Sequence, residues 1–336
     1  MLTPSDLHFN GILTSASVCA VNKNQKYVHG MVSPTLPVSN LSDNYMSYEL
    51  ANWYRSQMQK RAPGTTAAQS DISYNFDNTY KCEQYALLVR IPDEVRKNAD
   101  SIIKLDKDYT DFLTMQMLLF KEKQAADYYF KSGTWGTEFQ GIKGNLEPNQ
   151  FIQFDQADST PIEFIANLLD DMEEKTGGFR PNSLTMPRRV FTAIKNNPEI
   201  VDRVKYNGGT KDGAAYVTPQ AIAALLEIDE INVMSATENI KAESANKATE
   251  LQFINSNSML LQYKAKPATN VAMATACRTF QWTGLTGAKN GHRILKYRDG
   301  DETKHSDIIE IQTCFANEVT CKDFGVLLTD CISEAA

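Results

Sequence analysis

Between Asp108 and Lys131 the chain contains neither proline nor glycine. Across this stretch Tyr109, Phe112, Leu113, Met117, Phe120, Ala126 and Phe130 recur at steps of three and four residues, the period of one helix face. Gly133 is the first residue beyond it that breaks the pattern. At a rise of 1.5 Å per residue the predicted helix is about 36 Å long. A helix of that length spans a whole small domain, so the other elements must lie along it. Its narrow apolar stripe leaves polar surface for further partners, and it carries no evident catalytic residue. Immediately upstream, Tyr85–Ile91 reads as a strand and meets Pro92, Asp93 and Glu94. Proline has no N–H to lose in a first helical turn, and carboxylates there face the positive end of the helix dipole, so a short helix is predicted after the strand. Asn98-Ala99-Asp100 interrupts it before the long helix begins.

Composition excludes several classes of function. With 336 residues the chain has room for two domains or one with a large insertion. Charged residues make up 22% and hydrophobic ones 42%, ordinary values for a globular chain. The net charge of -7 opposes a nucleic-acid-binding surface, which needs clustered Lys and Arg to displace counterions. No apolar run approaches the length of a membrane span. Met1-Leu2-Thr3-Pro4-Ser5-Asp6 lacks the basic, then apolar, pattern of a signal peptide, and the chain reads as made in a reducing cytoplasm. Cys19, Cys82, Cys277, Cys314, Cys321 and Cys331 form no C-x-x-C pair and read as free, mostly buried thiols; His8, His29, His292 and His305 are as scattered. No metal and no cofactor is expected.

Residues 1–42 lack helical periodicity and contain Pro4, Pro34 and Pro37. Their apolar residues are too frequent for a solvated tail, which predicts an arm that finds its surface on a neighbour. Residues 43–80 hold Tyr45, Tyr48, Trp53 and Tyr54, then Arg55, Lys60 and Arg61, then the turn signal Pro63-Gly64, and alternation resumes at Ile72, Tyr74 and Phe76. This predicts a protruding two-stranded loop with a polar tip. A lone hairpin is marginal in water, so a long one implies a partner. Ser159-Thr160-Pro161 is predicted to cap a helix with Ile162, Ile165, Ala166, Leu169 and Met172 on its apolar face, ended by Gly177-Gly178. A short strand before Pro187, a helix to Asn197-Pro198, a glycine-marked loop at 207–213, a helix capped by Thr218 and a strand over Ile228–Val233 follow. Residues 151–304 therefore read as an α+β domain with a mixed sheet. The alternating runs Ile308–Thr313, Glu318–Thr320 and Gly325–Leu328 are expected to pair with Tyr85–Ile91, which makes that domain an insertion.

A search for chemistry is negative. There is no G-x-S-x-G or H-E-x-x-H; Gly284, Gly287 and Gly291 lack the dinucleotide spacing, and Gly209 to Gly213 lacks the end of a phosphate loop. Asp170-Asp171 and Glu173-Glu174 read as a solvated acidic helix face. Asp299-Gly300-Asp301 is too short for a calcium loop, and Asn40-Leu41-Ser42 is a chance sequon.

The order of elements and a series of short stretches carry a resemblance. The stretches are Arg61–Thr65, Asn98–Asp100, Lys121-Glu122, Gly133–Thr137, Thr176–Asn182, Asn197-Pro198, Asp202–Tyr206, Val217–Pro219 and Phe280–Gly284. Together, over residues 45 to 331, they resemble the siphovirus-type major capsid proteins of tailed bacteriophages, whose architecture is the HK97 fold. The resemblance implies an α+β fold with an N-terminal arm (1–42), an extended β-hairpin loop (43–80), a peripheral domain (81–150 with 305–336) built on a spine helix at about 108–131, and an axial domain (151–304). It implies a structural shell protein and no enzyme. The subunit would form pentamers and hexamers of an icosahedral or prolate head enclosing double-stranded DNA, without sequence-specific binding and without a membrane. A separate scaffolding protein is expected, since the chain reaches the loop within about forty residues and begins with Met1; a portal protein and a decoration protein are further expected partners. No Lys–Asn crosslink is expected, because neither Lys60 nor any asparagine aligns with one. The candidate inter-subunit contacts are Trp53, Arg55, Lys60, Arg61, Pro63 and Gly64 on the loop, Asp170, Asp171, Glu173 and Glu174 on the acidic helix, and Asn207, Gly208 and Gly209 on the glycine-marked loop. Two alternatives stand beside this reading. One is an encapsulin-type compartment shell of the same fold; the other is an α+β enzyme with an unrecognised site, for which the sequence offers no cluster.

Overall fold

The computed structural model describes residues 27–48, 54–69, 74–98, 104–207, 217–241, 250–266, 274–301 and 304–333. The long helix, α3, runs from Leu105 to Tyr129, close to its predicted bounds; α1 (His29–Val32) and α2 (Asp93–Asn98) precede it. Its buried face is Leu113, Met117, Leu118, Ala125, Ala126 and Tyr129, with Thr110, Thr114 and Glu122 buried among them. The two threonines satisfy their hydroxyls within the helix, each donating to the carbonyl four residues back at 2.7 Å. Phe112, predicted on the apolar stripe, is instead half exposed, as are Met115 and Tyr128. The true seam is rotated toward Leu118 and Tyr129 because α3 is covered on more than one side.

Two sheets share this helix. The first joins β4 (Glu83–Pro92), β12 (Cys277–Trp282), β13 (His292–Arg298) and the fourteen-residue β14 (Ser306–Val319), with β1 (Thr35–Val38) added in parallel along β12. β14 is its axis, pairing with β4 along one edge, with β13 over 307–313 and with β12 over 315–319. The second is a mixed six-stranded sheet in the order β6 (Gln150–Ile152), β5 (Thr137–Ile142), β15 (Gly325–Thr329), β11 (Met259–Gln262), β7 (Ser183–Pro187) and β8 (Glu230–Met234). Two ribbons, β2 (Ser42–Tyr48) with β3 (Tyr74–Lys81) and β9 (Thr237–Asn239) with β10 (Leu251–Phe253), pair separately, and the first packs on the five-stranded sheet, where the Tyr80 ring stacks on Phe280.

Strand alternation sorts the core into layers. Leu184, Met186, Met259, Leu261, Val326 and Leu328 point to one face of the six-stranded sheet, where α4 (Pro161–Thr176), α5 (Arg188–Asn196), α6 (Pro198–Asn207) and α7 (Pro219–Leu226) cover them. Leu260 and Leu327, at the intervening positions, point to the other face and meet Ala125, Tyr129 and Phe130 at the C-terminal end of α3. The N-terminal half of α3 lies on the five-stranded sheet, with Leu113, Met117 and Leu118 against Ile91, Ile294, Ile309 and Ile311. One helix thus holds both sheets.

The expected pairing of the returning strand with Tyr85–Ile91 is observed, Ile308 facing Arg90 and Thr313 facing Tyr85. Glu318-Val319 pairs with β12 instead, and Gly325–Leu328 lies in the other sheet, where β15 sits between β5 and β11. Within residues 151–304, β12 and β13 belong to the five-stranded sheet, so the span does not form one sheet of its own. Period-2 alternation marks these strands but carries no information on partners hundreds of residues away. Local caps also shift. Thr160 makes no side-chain cap, and the first turn of α4 is closed from afar by Glu199, whose Oε2 accepts from the Ile162 N–H at 3.2 Å. Thr218 caps α7 as predicted, its Oγ1 accepting from Ala221. Cys82, Cys277, Cys314 and Cys331 are buried free thiols; Cys321 is partly exposed.

Candidate interaction surfaces

The hairpin predicted over 43–80 is the β2–β3 ribbon, and residues 54–69 carry its described tip. Ala62-Pro63-Gly64-Thr65 forms a turn in which the Thr65 N–H donates to the Ala62 carbonyl at 3.2 Å and Gly64 takes φ +83°. That is the turn in which proline presets the first central position and glycine supplies the left-handed second one. Arg61 Nε donates to the Thr65 carbonyl and braces the turn, while Arg55, Lys60 and Arg61 all remain exposed. Met58 is 96% exposed, a large apolar side chain left uncovered by the described residues. Trp53 lies outside the described residues.

Before the tip, the ring of Tyr54 rests on Gly177, the left-handed C-cap of α4 (φ +75°); a Cβ there would fall 2.4 Å from the ring. The C-cap glycine is legible in the sequence, but its second role as a seat for an aromatic ring is not. The acidic face of α4 adjoins this seat. Arg180 reaches back to Asp170 at 2.8 Å and to Glu173 at 2.9 Å, so these two carboxylates are engaged within their own chain. Asp171 and Glu174 are exposed. Asn207 ends α6, and Gly208, Gly209 and the rest of the glycine-marked loop lie outside the described residues.

Part of the expected N-terminal arm finds its surface on its own subunit. Residues 1–26 lie outside the described residues, but residues 27–38 are bound to α3 and β12. Glu122, with no solvent exposure, accepts from the Val28 N–H at 2.9 Å and the His29 N–H at 2.8 Å through Oε2. His29 Nδ1 lies 3.4 Å from the same oxygen. Gln262 and Ser33 extend the attachment, Nε2 to the Val32 carbonyl at 2.8 Å and Oγ to the Tyr129 hydroxyl at 2.9 Å. Sequence reasoning missed this carboxylate. Its signal was its place in the series Leu118, Glu122, Ala125, Tyr129, a charged residue in a buried register.

Burial, with the Lys121 charge nearby, pushes the His292 imidazole down to about 4. Burial alone lowers the Lys121 ammonium to about 8. Among the described residues no group of three or more His, Cys, Asp or Glu could hold a metal ion, and no helix is long and apolar enough to cross a membrane.

No family model matches this chain, and no curated protein matches it either. Solved structures do. A phage-related protein from Bordetella bronchiseptica RB50 is similar with a TM-score of 0.69 over 97% of this chain and 98% of its own, at 19% identity. The capsid of cyanophage P-SCSP1u follows at 0.55, covering 89% and 87% at 12% identity, and the mature capsid of bacteriophage PhiM1 at 0.53, covering 88% and 85% at 10% identity. The chain has the HK97-like capsid fold. At these identities the likeness is one of fold.

Proposed function

We propose that the chain is a phage major capsid protein, assembling through contacts between its own copies into pentamers and hexamers of a head that encloses double-stranded DNA. The observation that carries this is the shared fold over 97% of the chain with a phage-related protein and over 88–89% of it with two phage capsid structures. In this reading α3 is the spine helix of a peripheral domain with the five-stranded sheet. The α4–α7 layer and its sheet form the axial domain, and the β2–β3 ribbon is the extended loop that lies across a neighbour. Exposed Met58 and the basic residues Arg55, Lys60 and Arg61 suit that contact. Individual exposed ion pairs contribute about 0–1 kcal/mol each, so shell stability rests on repetition and apolar burial. A net charge of -7 suits a container that must enclose phosphate without gripping it. A separate scaffolding protein, a portal and a decoration protein are its proposed partners, the virion its location, and assembly proceeds without a covalent crosslink.

Negative-stain electron microscopy of the purified chain, beside size-exclusion chromatography, tests this. Rings or closed shells are expected. A chain that stays monomeric even when co-expressed with the scaffolding and portal genes of its own phage refutes the reading.

A further inference from the structure

Arg188 and Arg189 open α5 where β7 ends, beside a recess of about 380 Å³. Phe253 and Ile332 give the recess apolar surface, Thr192 and Asn257 line it with polar groups, and among the described residues no carboxylate is part of its lining, although Ser333 at its edge is bonded to Asp155. The Arg188 guanidinium stands 5.6 Å from the ring centroid of Phe191, and that of Arg189 stands 5.8 Å from the ring centroid of Phe253. Both cations are thus held on aromatic faces. Elsewhere on this chain Arg90, Arg96, Arg180, Arg203 and Arg298 each hold a carboxylate. Neither Arg188 nor Arg189 has a hydrogen-bond or ion-pair partner for its guanidinium among the described residues. Among the described residues only the two aromatic rings hold these cations, in a first helical turn where the helix dipole opposes them. They are oriented and exposed, with no carboxylate on them among the described residues.

An oriented guanidinium pair suits a pair of carboxylates, and one such pair lies in the same helical layer. Asp171 and Glu174, three apart on α4, share one helix face and are exposed, while their neighbours Asp170 and Glu173 are occupied by Arg180. α6 packs on both α4 and α5, so the basic recess and the acidic face belong to one rigid layer. Complementary patches at different places on one subunit are what a head-to-tail contact requires, and repeating it closes a ring. Nucleic acid is the poorer occupant, because two cations on a chain of net charge -7 neutralise too few phosphates to hold a strand. We propose that the Arg188–Arg189 recess receives the Asp171–Glu174 face of the next copy in the ring. This rests on the assembly reading above and names the surfaces that would make the ring.

The test is reciprocal charge reversal on a chain whose wild type assembles. Arg188→Glu with Arg189→Glu is expected to reduce rings and shells at least tenfold by sedimentation while leaving the circular dichroism of the free subunit unchanged. Asp171→Arg with Glu174→Arg is expected to do the same, and combining all four substitutions is expected to restore assembly. Where a reversed variant does not fold, a cysteine pair decides. Arg189→Cys subunits mixed with Glu174→Cys subunits should give a disulfide-linked dimer under oxidation that neither variant gives alone. Wild-type yields from the double-arginine variant, or absence of the mixed disulfide, overturn the inference and leave the capsid reading standing. So does a labelled single-stranded oligonucleotide that binds wild type and not Arg188→Glu/Arg189→Glu while both assemble equally. A wild type that never assembles overturns the capsid reading itself.

Discussion

Replacing Glu122 by alanine should detach the N-terminal segment from the long helix without dissolving either sheet. The carboxylate accepts two backbone N–H bonds, from Val28 at 2.9 Å and His29 at 2.8 Å, in a place with no solvent exposure. Hydrogen bonds to a charged acceptor contribute about 1.5–3 kcal/mol each, and buried donors left unpaired cost about 1–3 kcal/mol each. Against this stands the penalty of burying the carboxylate, several kcal/mol, which the alanine variant no longer bears. The balance is a loss of about 2–4 kcal/mol for Glu122→Ala. For Glu122→Gln, whose amide oxygen can accept the same two donors, it is about 1–2 kcal/mol. The loss should be local at first. Val32 and Ser33 keep their bonds to Gln262 and Tyr129, and β1 keeps its register along β12. Hydrogen exchange with residue-level resolution reads this directly, with the Val28 and His29 amides exchanging faster by orders of magnitude while the β14 amides change little. A urea titration gives the global component. Unchanged protection of these two amides in Glu122→Ala, with an unchanged midpoint, would show that the carboxylate does not hold the segment.

Three further outcomes are expected. Gly177→Ala places a Cβ in the left-handed region and against the Tyr54 ring. It should cost about 1–2 kcal/mol and speed tryptic cleavage at Arg55, Lys60 and Arg61, and unchanged cleavage kinetics would refute the docking of Tyr54. His292 is neutral in the fold, its imidazole held near 4, whereas the unfolded chain takes up a proton below about 6.5. Its contribution is therefore complete above about pH 6.5 and is lost as pH falls toward 4, at most about 3 kcal/mol; urea midpoints between pH 7 and 4.5 should fall less steeply for His292→Gln, and parallel profiles would reject the assignment. Boiled particles run on denaturing gels should show the single-subunit band, and a covalent ladder would contradict assembly without crosslinks.

What could be read from the sequence was local. The turn at Ala62–Thr65 follows from Pro63 and Gly64 because proline and glycine each fix one backbone angle. The C-cap at Gly177 and the cap by Thr218 follow for the same reason. Helix α3 was legible because twenty-five residues run without a breaker, although the face that it buries was not. The candidate contacts divide along the same line. The exposure of the loop cations followed from composition, whereas the capture of Asp170 and Glu173 by Arg180 depended on how the chain returns after Gly178.

The sequence by itself therefore determined most element types, the long helix, the two-stranded ribbon with its Pro-Gly turn and the net negative charge, nearly all of them properties set by neighbours a few residues apart. Tertiary structure alone decided that β15 leaves β14 for the other sheet, that β1 closes on β12, and that the first turn of α4 is capped by Glu199 rather than Thr160. It also decided that a carboxylate in the apolar seam holds the N-terminal segment. The reason is physical. Strand alternation tells a residue which face it occupies, but an unpaired backbone edge accepts any strand, and only the three-dimensional packing of α3 between two sheets selects the partner.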